Sequence, residues 1–91
     1  MLHLAMAFTA ALAAPAPGYS AQPVMMPEPR FAIRDTMWRC GAAGCNGDKS
    51  SSRPEIVCAA FVKKVGPVTA FLANGRAMGP EDLEKCNASA R

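Results

Sequence analysis

The spacing of hydrophobic and polar positions changes several times along the chain, and each change marks a predicted element. Residues 1–13 are almost uniformly apolar: eleven of the thirteen are hydrophobic, and no Lys, Arg, Asp or Glu interrupts them. From Ala14 to Pro29 the apolar run gives way to small residues set among Pro15, Pro17, Pro23, Pro27 and Pro29. Prolines at that density predict an extended tether over 14–29 rather than a packed element. Order is expected to begin near Arg30. From there to Cys40 the residues alternate imperfectly, predicting one strand. Phe31, Ile33 and Met37 would lie on one side of it, with Ala32, Thr36, Trp38 and Cys40 on the other. Gly41-Ala42-Ala43-Gly44 predicts a tight loop, and Asn46 through Ser52 a polar connection.

The period then becomes helical. At about 100° per residue, Val57, Cys58, Phe61, Val62 and Val65 share one face, with Lys63 opposite. Pro54 suits a first helical position, and Gly66-Pro67 stops the run. Val68 to Ala73 predicts a second strand, and Asn74-Gly75 is a strong two-residue hairpin signal returning Arg76-Ala77-Met78 as a third. Gly79-Pro80 opens a short last helix with Glu81 and Asp82 near its positive end. Leu83 and Cys86, three apart, share a face there. The prediction is a small α+β domain over 30–91: strand, cysteine loop, helix, β-hairpin and short C-terminal helix.

Four cysteines in 91 residues matter more than any other feature of the composition. Cys40, Cys45, Cys58 and Cys86 form no C-x2-C pair, so neither a zinc knuckle nor a thiol-oxidoreductase motif is present. An even count in a short chain predicts disulfides in an oxidising compartment. Of three possible pairings, the two inward-facing cysteines on the predicted helices favour Cys58–Cys86, leaving Cys40–Cys45. Loop closure assigns the longer bridge about 3.6 kcal/mol and the shorter about 2.2. With so few large apolar residues, such bridges replace core.

The opening run fits the same compartment. It is too short to span a bilayer, which takes about 20 apolar residues, and it ends in the small-residue pattern of a signal peptide. Ala11 and Ala13 predict a cut before Ala14, giving a periplasmic or secreted protein with no transmembrane segment left after cleavage. The run lacks the basic residues that usually precede a signal core.

Composition narrows the chemistry further. The one histidine, His3, lies inside the predicted signal, so the mature chain has no imidazole for Ser-His-Asp or Cys-His catalysis. Glu81, Asp82 and Glu84 are better helix stabilisers than metal ligands, and Asp35 is placed to pair with Arg34 or Arg39. The expectation is therefore no enzyme, no cofactor and no metal. Ten basic residues against seven acidic leave a net charge of +3. Arg30, Arg34, Arg39, Lys49 and Arg53 concentrate in the first half of the domain, a candidate face for an anionic surface or an acidic envelope protein. Few aromatics, together with export, argue against nucleic acid. Trp38, beside Arg39 and with Arg34 near it, is a candidate interface anchor. Its structural alternative is packing on the neighbouring disulfide. Asn87-Ala88-Ser89 matches a glycosylation acceptor, which carries no weight if the source is bacterial.

The blocks Asp35-Thr36-Met37-Trp38-Arg39-Cys40 with Gly44-Cys45, Ser52-Arg53-Pro54 with Val57-Cys58, and Leu83-Glu84-Lys85-Cys86-Asn87 resemble a family of small exported alphaproteobacterial proteins. That family has four cysteines and no assigned function. The resemblance covers about residues 30–88 and implies export and a compact four-cysteine domain, but no catalytic residue. The functional expectation is a non-enzymatic, disulfide-stabilised binding or envelope-associated module. A small enzyme inhibitor inserting the Cys40–Cys45 loop, or a thiol-redox protein using that pair, are the alternatives.

Overall fold

The computed structural model describes residues 18–90. The predicted signal at 1–13, His3 included, and the start of the predicted tether lie outside the described residues. The element order is β1 (Tyr19–Pro23), β2 (Arg30–Ile33), β3 (Thr36–Gly41), β4 (Gly44–Gly47), α1 (Pro54–Val65), β5 (Val68–Ala73), β6 (Arg76–Ala77) and α2 (Pro80–Ala88). The six strands form one sheet in the order β2-β3-β4-β1-β5-β6, every neighbouring pair antiparallel. The α+β class is as predicted, with a larger sheet than the sequence suggested.

The main correction concerns the predicted tether. Residues 19–23 form a strand between β4 and β5, near the middle of the sheet. Tyr19 and Ala21 point into the core, and Ala21 is fully buried. Small residues are required here because Ala21 lies between Cys45 and Phe71 in the register. Pro23 is tolerated because it stands at the strand's end, beyond a register shift, where the missing N–H interrupts little of the ladder.

The second correction concerns the long predicted strand at 30–40, which is a hairpin. Ile33 pairs with Thr36 across a two-residue turn, and Arg34 takes the left-handed conformation (φ 56°) that such a turn demands. The turn reverses which residues face in. Phe31 is on the core side with Thr36 and Trp38, while Met37 and Arg39 face out. A third change follows: the start of the predicted polar connection is β4, bringing Gly44–Gly47 against both β3 and β1.

The rest follows the predicted periodicity. α1 buries Val57, Cys58, Phe61 and Val62, and Lys63 is exposed. Asn74-Gly75, both with positive φ (52° and 83°), make the tight turn between β5 and β6. Cys86 is buried on α2 and bonded to Cys58, with Cα atoms 5.8 Å apart. Cys40 is bonded to Cys45 across the β3–β4 hairpin, Cα atoms 4.0 Å apart. The Cys40 N–H donates to Pro29 O (2.8 Å), so it points towards β2. The cysteines therefore occupy a non-hydrogen-bonded pair, where facing side chains approach most closely.

Both helices cover one face of the sheet. Phe31 and Trp38 meet Phe61 of α1 there, with the Trp38 and Phe61 ring centres 4.5 Å apart, and Tyr19 and Phe71 pack on Trp38 in the same core. Trp38 and Tyr19 flank Gly47 in the register, their ring centres 6.2 Å apart. A Cβ on Gly47 would lie 2.9 Å from three indole carbons. The indole lies over backbone that only glycine leaves bare.

Candidate functional site

The other face of the sheet is not covered by either helix. Because paired residues on neighbouring antiparallel strands share a face, the register aligns Arg30, Arg39, Asn46, Ser20, Leu72 and Ala77 in one row across all six strands. Adjacent strands lie about 4.8 Å apart. The row therefore presents two guanidinium groups, an amide and a hydroxyl side by side, ending on the aliphatic Leu72 and Ala77.

Arg30 and Arg39 are the unusual part. They face each other directly on an edge hairpin, in the closer, non-hydrogen-bonded kind of pair fixed by the Cys40–Pro29 bond. Like charges so placed repel. One carboxylate answers them: Asp48 Oδ1 accepts from Arg39 Nη1 at 3.4 Å, both side chains 56% exposed. Such a pair in solvent contributes little. It is the sole ion pair among the described residues, and Arg30 has no acidic partner there. Beside Arg39 the face dips into an open depression of about 370 Å³, lined by Asn46, Asp48, Ser20 and Leu72 among others.

The other predicted site residues are scattered. Trp38 is fully buried against Phe61, which makes it a core residue and not an interface anchor. The structural alternative places it on the neighbouring disulfide inside a small core; it is in the core, and the ring it packs on is that of Phe61, 4.5 Å between centres. Arg34 lies in the β2–β3 turn, five residues from Arg39 and off the row. Asp35 pairs with neither arginine; its carboxylate accepts from Ser50 Oγ at 3.0 and 3.2 Å. Arg53 stands at the N-cap of α1, so the five basic residues of the first half do not form one face. Glu81 and Asp82 sit in the first turn of α2, and no group of three metal-donor side chains gathers among the described residues. The Cys40–Cys45 hairpin ends on the exposed methyl groups of Ala42 and Ala43.

Two asparagines have structural work that the sequence did not reveal. Asn87 Oδ1 accepts from Val68 N–H (2.8 Å) while its Nδ2 donates to Val68 O (2.9 Å). Its amide thus acts as a strand partner at the start of β5, within the segment that matches a glycosylation acceptor. Asn74 Oδ1 accepts from Gly18 N–H at 3.0 Å, and its own N–H donates to Gly18 O at 2.7 Å. No feature of the sequence pairs Gly18 with Asn74; the two meet because β1 lies beside β5.

Fold and surface together define a small disulfide-stapled α+β domain with one face of its sheet uncovered among the described residues and marked by arginine. A family model matches residues 2–88, nearly the whole chain, and the protein belongs to that family, the family of unknown function DUF8200. No curated protein matches the chain, and no solved structure does.

Proposed function

We propose that the protein is an exported, non-enzymatic binding module that holds an acidic partner in the envelope against the open face of its sheet. The observation that carries this reading is the Arg30–Arg39 pair, two arginines directly opposite each other on paired strands, with one solvent-exposed carboxylate on Arg39 and none on Arg30. An acidic partner would relieve a repulsion that the fold alone leaves in place. Asn46 and Ser20 add neutral hydrogen-bonding groups along the same row.

Export is part of the proposal. The two disulfides are compatible with an oxidising, extracytoplasmic location, and the likeness to small exported alphaproteobacterial proteins points the same way. A cut before Ala14 leaves β1 whole, since that strand starts at Tyr19. The intact mass of the protein from its host should correspond to a chain beginning at Ala14 with two disulfides. An uncleaved chain with four free thiols would overturn the export step.

The binding step is tested with an oligoglutamate probe by fluorescence anisotropy. Affinity should fall with rising salt, and Arg30→Ser with Arg39→Ser should weaken binding at least tenfold while thermal melting is unchanged. Equal binding by the double variant removes the open face from the mechanism. Turnover of an envelope substrate by the purified protein removes the non-enzymatic reading.

A further inference from the structure

A second surface stands apart from the open face and does not depend on it. The connection between β1 and β2 carries three consecutive large apolar side chains in solvent: Val24, Met25 and Met26 are 64%, 68% and 62% exposed. The other exposed large hydrophobics, Met37 and Ile56, stand singly and are less exposed. A single exposed apolar residue is ordinary, whereas a run of them marks a surface that meets something apolar.

The run is held in place at both ends. Val24 N–H donates to Pro67 O at 3.0 Å, tying it to the junction of α1 and β5, and Pro29 O accepts from Cys40 N–H. The register puts this connection at the end of the sheet where α1 finishes, because Pro23 pairs with Val68. The last turn of α1 carries Lys63 and Lys64, both exposed and neither in an ion pair. Lys64 lines a cleft with Pro27 and Glu28 of the same connection, so the basic turn and the apolar run are neighbours. Glu28 is the single carboxylate within the connection.

An apolar tip beside two exposed lysines with no carboxylate partner, Lys64 lying 5.8 Å over the Phe31 ring, matches the boundary of an anionic bilayer, where apolar side chains reach the acyl region and ammonium groups meet lipid phosphate. Methionine suits that use, since its unbranched thioether adapts to a disordered surface. No helix of the described residues is long and apolar enough to cross a membrane, so the contact would be peripheral. We propose that the Val24–Met26 connection inserts into the interface of an anionic phospholipid bilayer, with Lys63 and Lys64 on the lipid phosphates.

The test uses vesicles of phosphatidylglycerol and phosphatidylcholine, with pure phosphatidylcholine as the comparison. The full chain should sediment with the anionic vesicles at least tenfold more strongly than with the neutral ones. Replacing Val24, Met25 and Met26 together by serine should lower that partitioning at least tenfold. Lys63→Gln with Lys64→Gln should lower it on anionic vesicles alone, by about fivefold per lysine. Peptide mapping after brief hydrogen peroxide treatment supplies a local readout, because each exposed thioether takes one oxygen from peroxide and releases water. Anionic vesicles should slow oxidation of Met25 and Met26 at least fivefold and leave Met37 unchanged, as Met37 lies on the far face of the sheet. Equal oxidation of Met25 and Met26 with and without vesicles overturns the proposal, whatever the sedimentation. Equal partitioning onto both vesicle types overturns it as well, and a protein partner for this surface would then be the better reading.

Discussion

The two wings of the sheet, one on each side of β1, are built by different means. On one side β2, β3 and β4 follow one another in the chain, joined by two-residue turns and stapled at the second turn by Cys40–Cys45. On the other side β5 and β6 pack with two helices that share the Cys58–Cys86 bridge. The first wing is rich in glycine and polar residues, and its shape comes from strand pairing. The second is organised by apolar stripes on α1 and β5. Each wing has its own covalent staple, and they meet through β1, through Phe61, which reaches across to Trp38 and Phe31, and through the Trp38 and Phe71 rings, 6.3 Å apart. Local apolar periodicity can specify one half of so small a domain, while the other half is specified by what it pairs with.

The largest effect should come from breaking the joint itself. Ala21→Asp places a carboxylate at a position with no exposure, between Cys45 and Phe71. Burying an unpaired charge is strongly unfavourable, so circular dichroism should show no cooperative melt. A variant that melts like the parent would mean that residues 19–23 are indeed a tether. Next in size is Trp38→Ala, which removes the ring that links the wings and should cost about 3–5 kcal/mol in urea unfolding. A loss under about 1 kcal/mol would mean the wings cohere without it.

The two staples should separate the wings. Replacing Cys58 and Cys86 by alanine should cost about 3.6 kcal/mol, and replacing Cys40 and Cys45 about 2.2 kcal/mol, because the longer loop gains more freedom when unfolded. The reverse order would show that the hairpin wing depends on its bridge for pairing, not only for loop closure. The smallest effect belongs to the open face. Arg39→Ser should change stability by less than about 0.5 kcal/mol, since its ion pair lies in solvent. A larger loss would mean that Arg39 and Asp48 hold the hairpin together.

The same division explains what the sequence disclosed. α1, the Asn74-Gly75 turn and α2 are legible because each carries its signal within a few residues: a stripe, a turn dipeptide, a proline at the helix start. β4 consists of Gly44, Cys45, Asn46 and Gly47, none of them a strand former. It is a strand because β1 and β3 flank it, and Gly47 is needed to leave room for the Trp38 ring. β1 was hidden by the prolines around it, and its one large apolar residue, Tyr19, gave no periodicity to detect. The turn at Arg34-Asp35 lacks glycine and asparagine, so alternation alone runs straight through it and puts Met37 on the side of Phe31, whereas the hairpin puts it on the opposite face. For the candidate site, Arg39 was identifiable as an exposed basic residue beside a cysteine. Its partnership with Arg30 depends on that unmarked turn and emerged only from the register.

The position of β1 also sets an order of events during synthesis. The first of the described strands needs both neighbours, and the second of these, Val68–Ala73, is made only after β2, β3, β4 and α1. Until then Tyr19 and Ala21 have half a binding site at most, and the hairpins of β2, β3 and β4 can form with nothing on which to close. Closure of the sheet is thereby deferred until β5 has been made, a consequence of pairing residues some fifty positions apart. A chain built in this way keeps its sheet in two parts until β5 joins them.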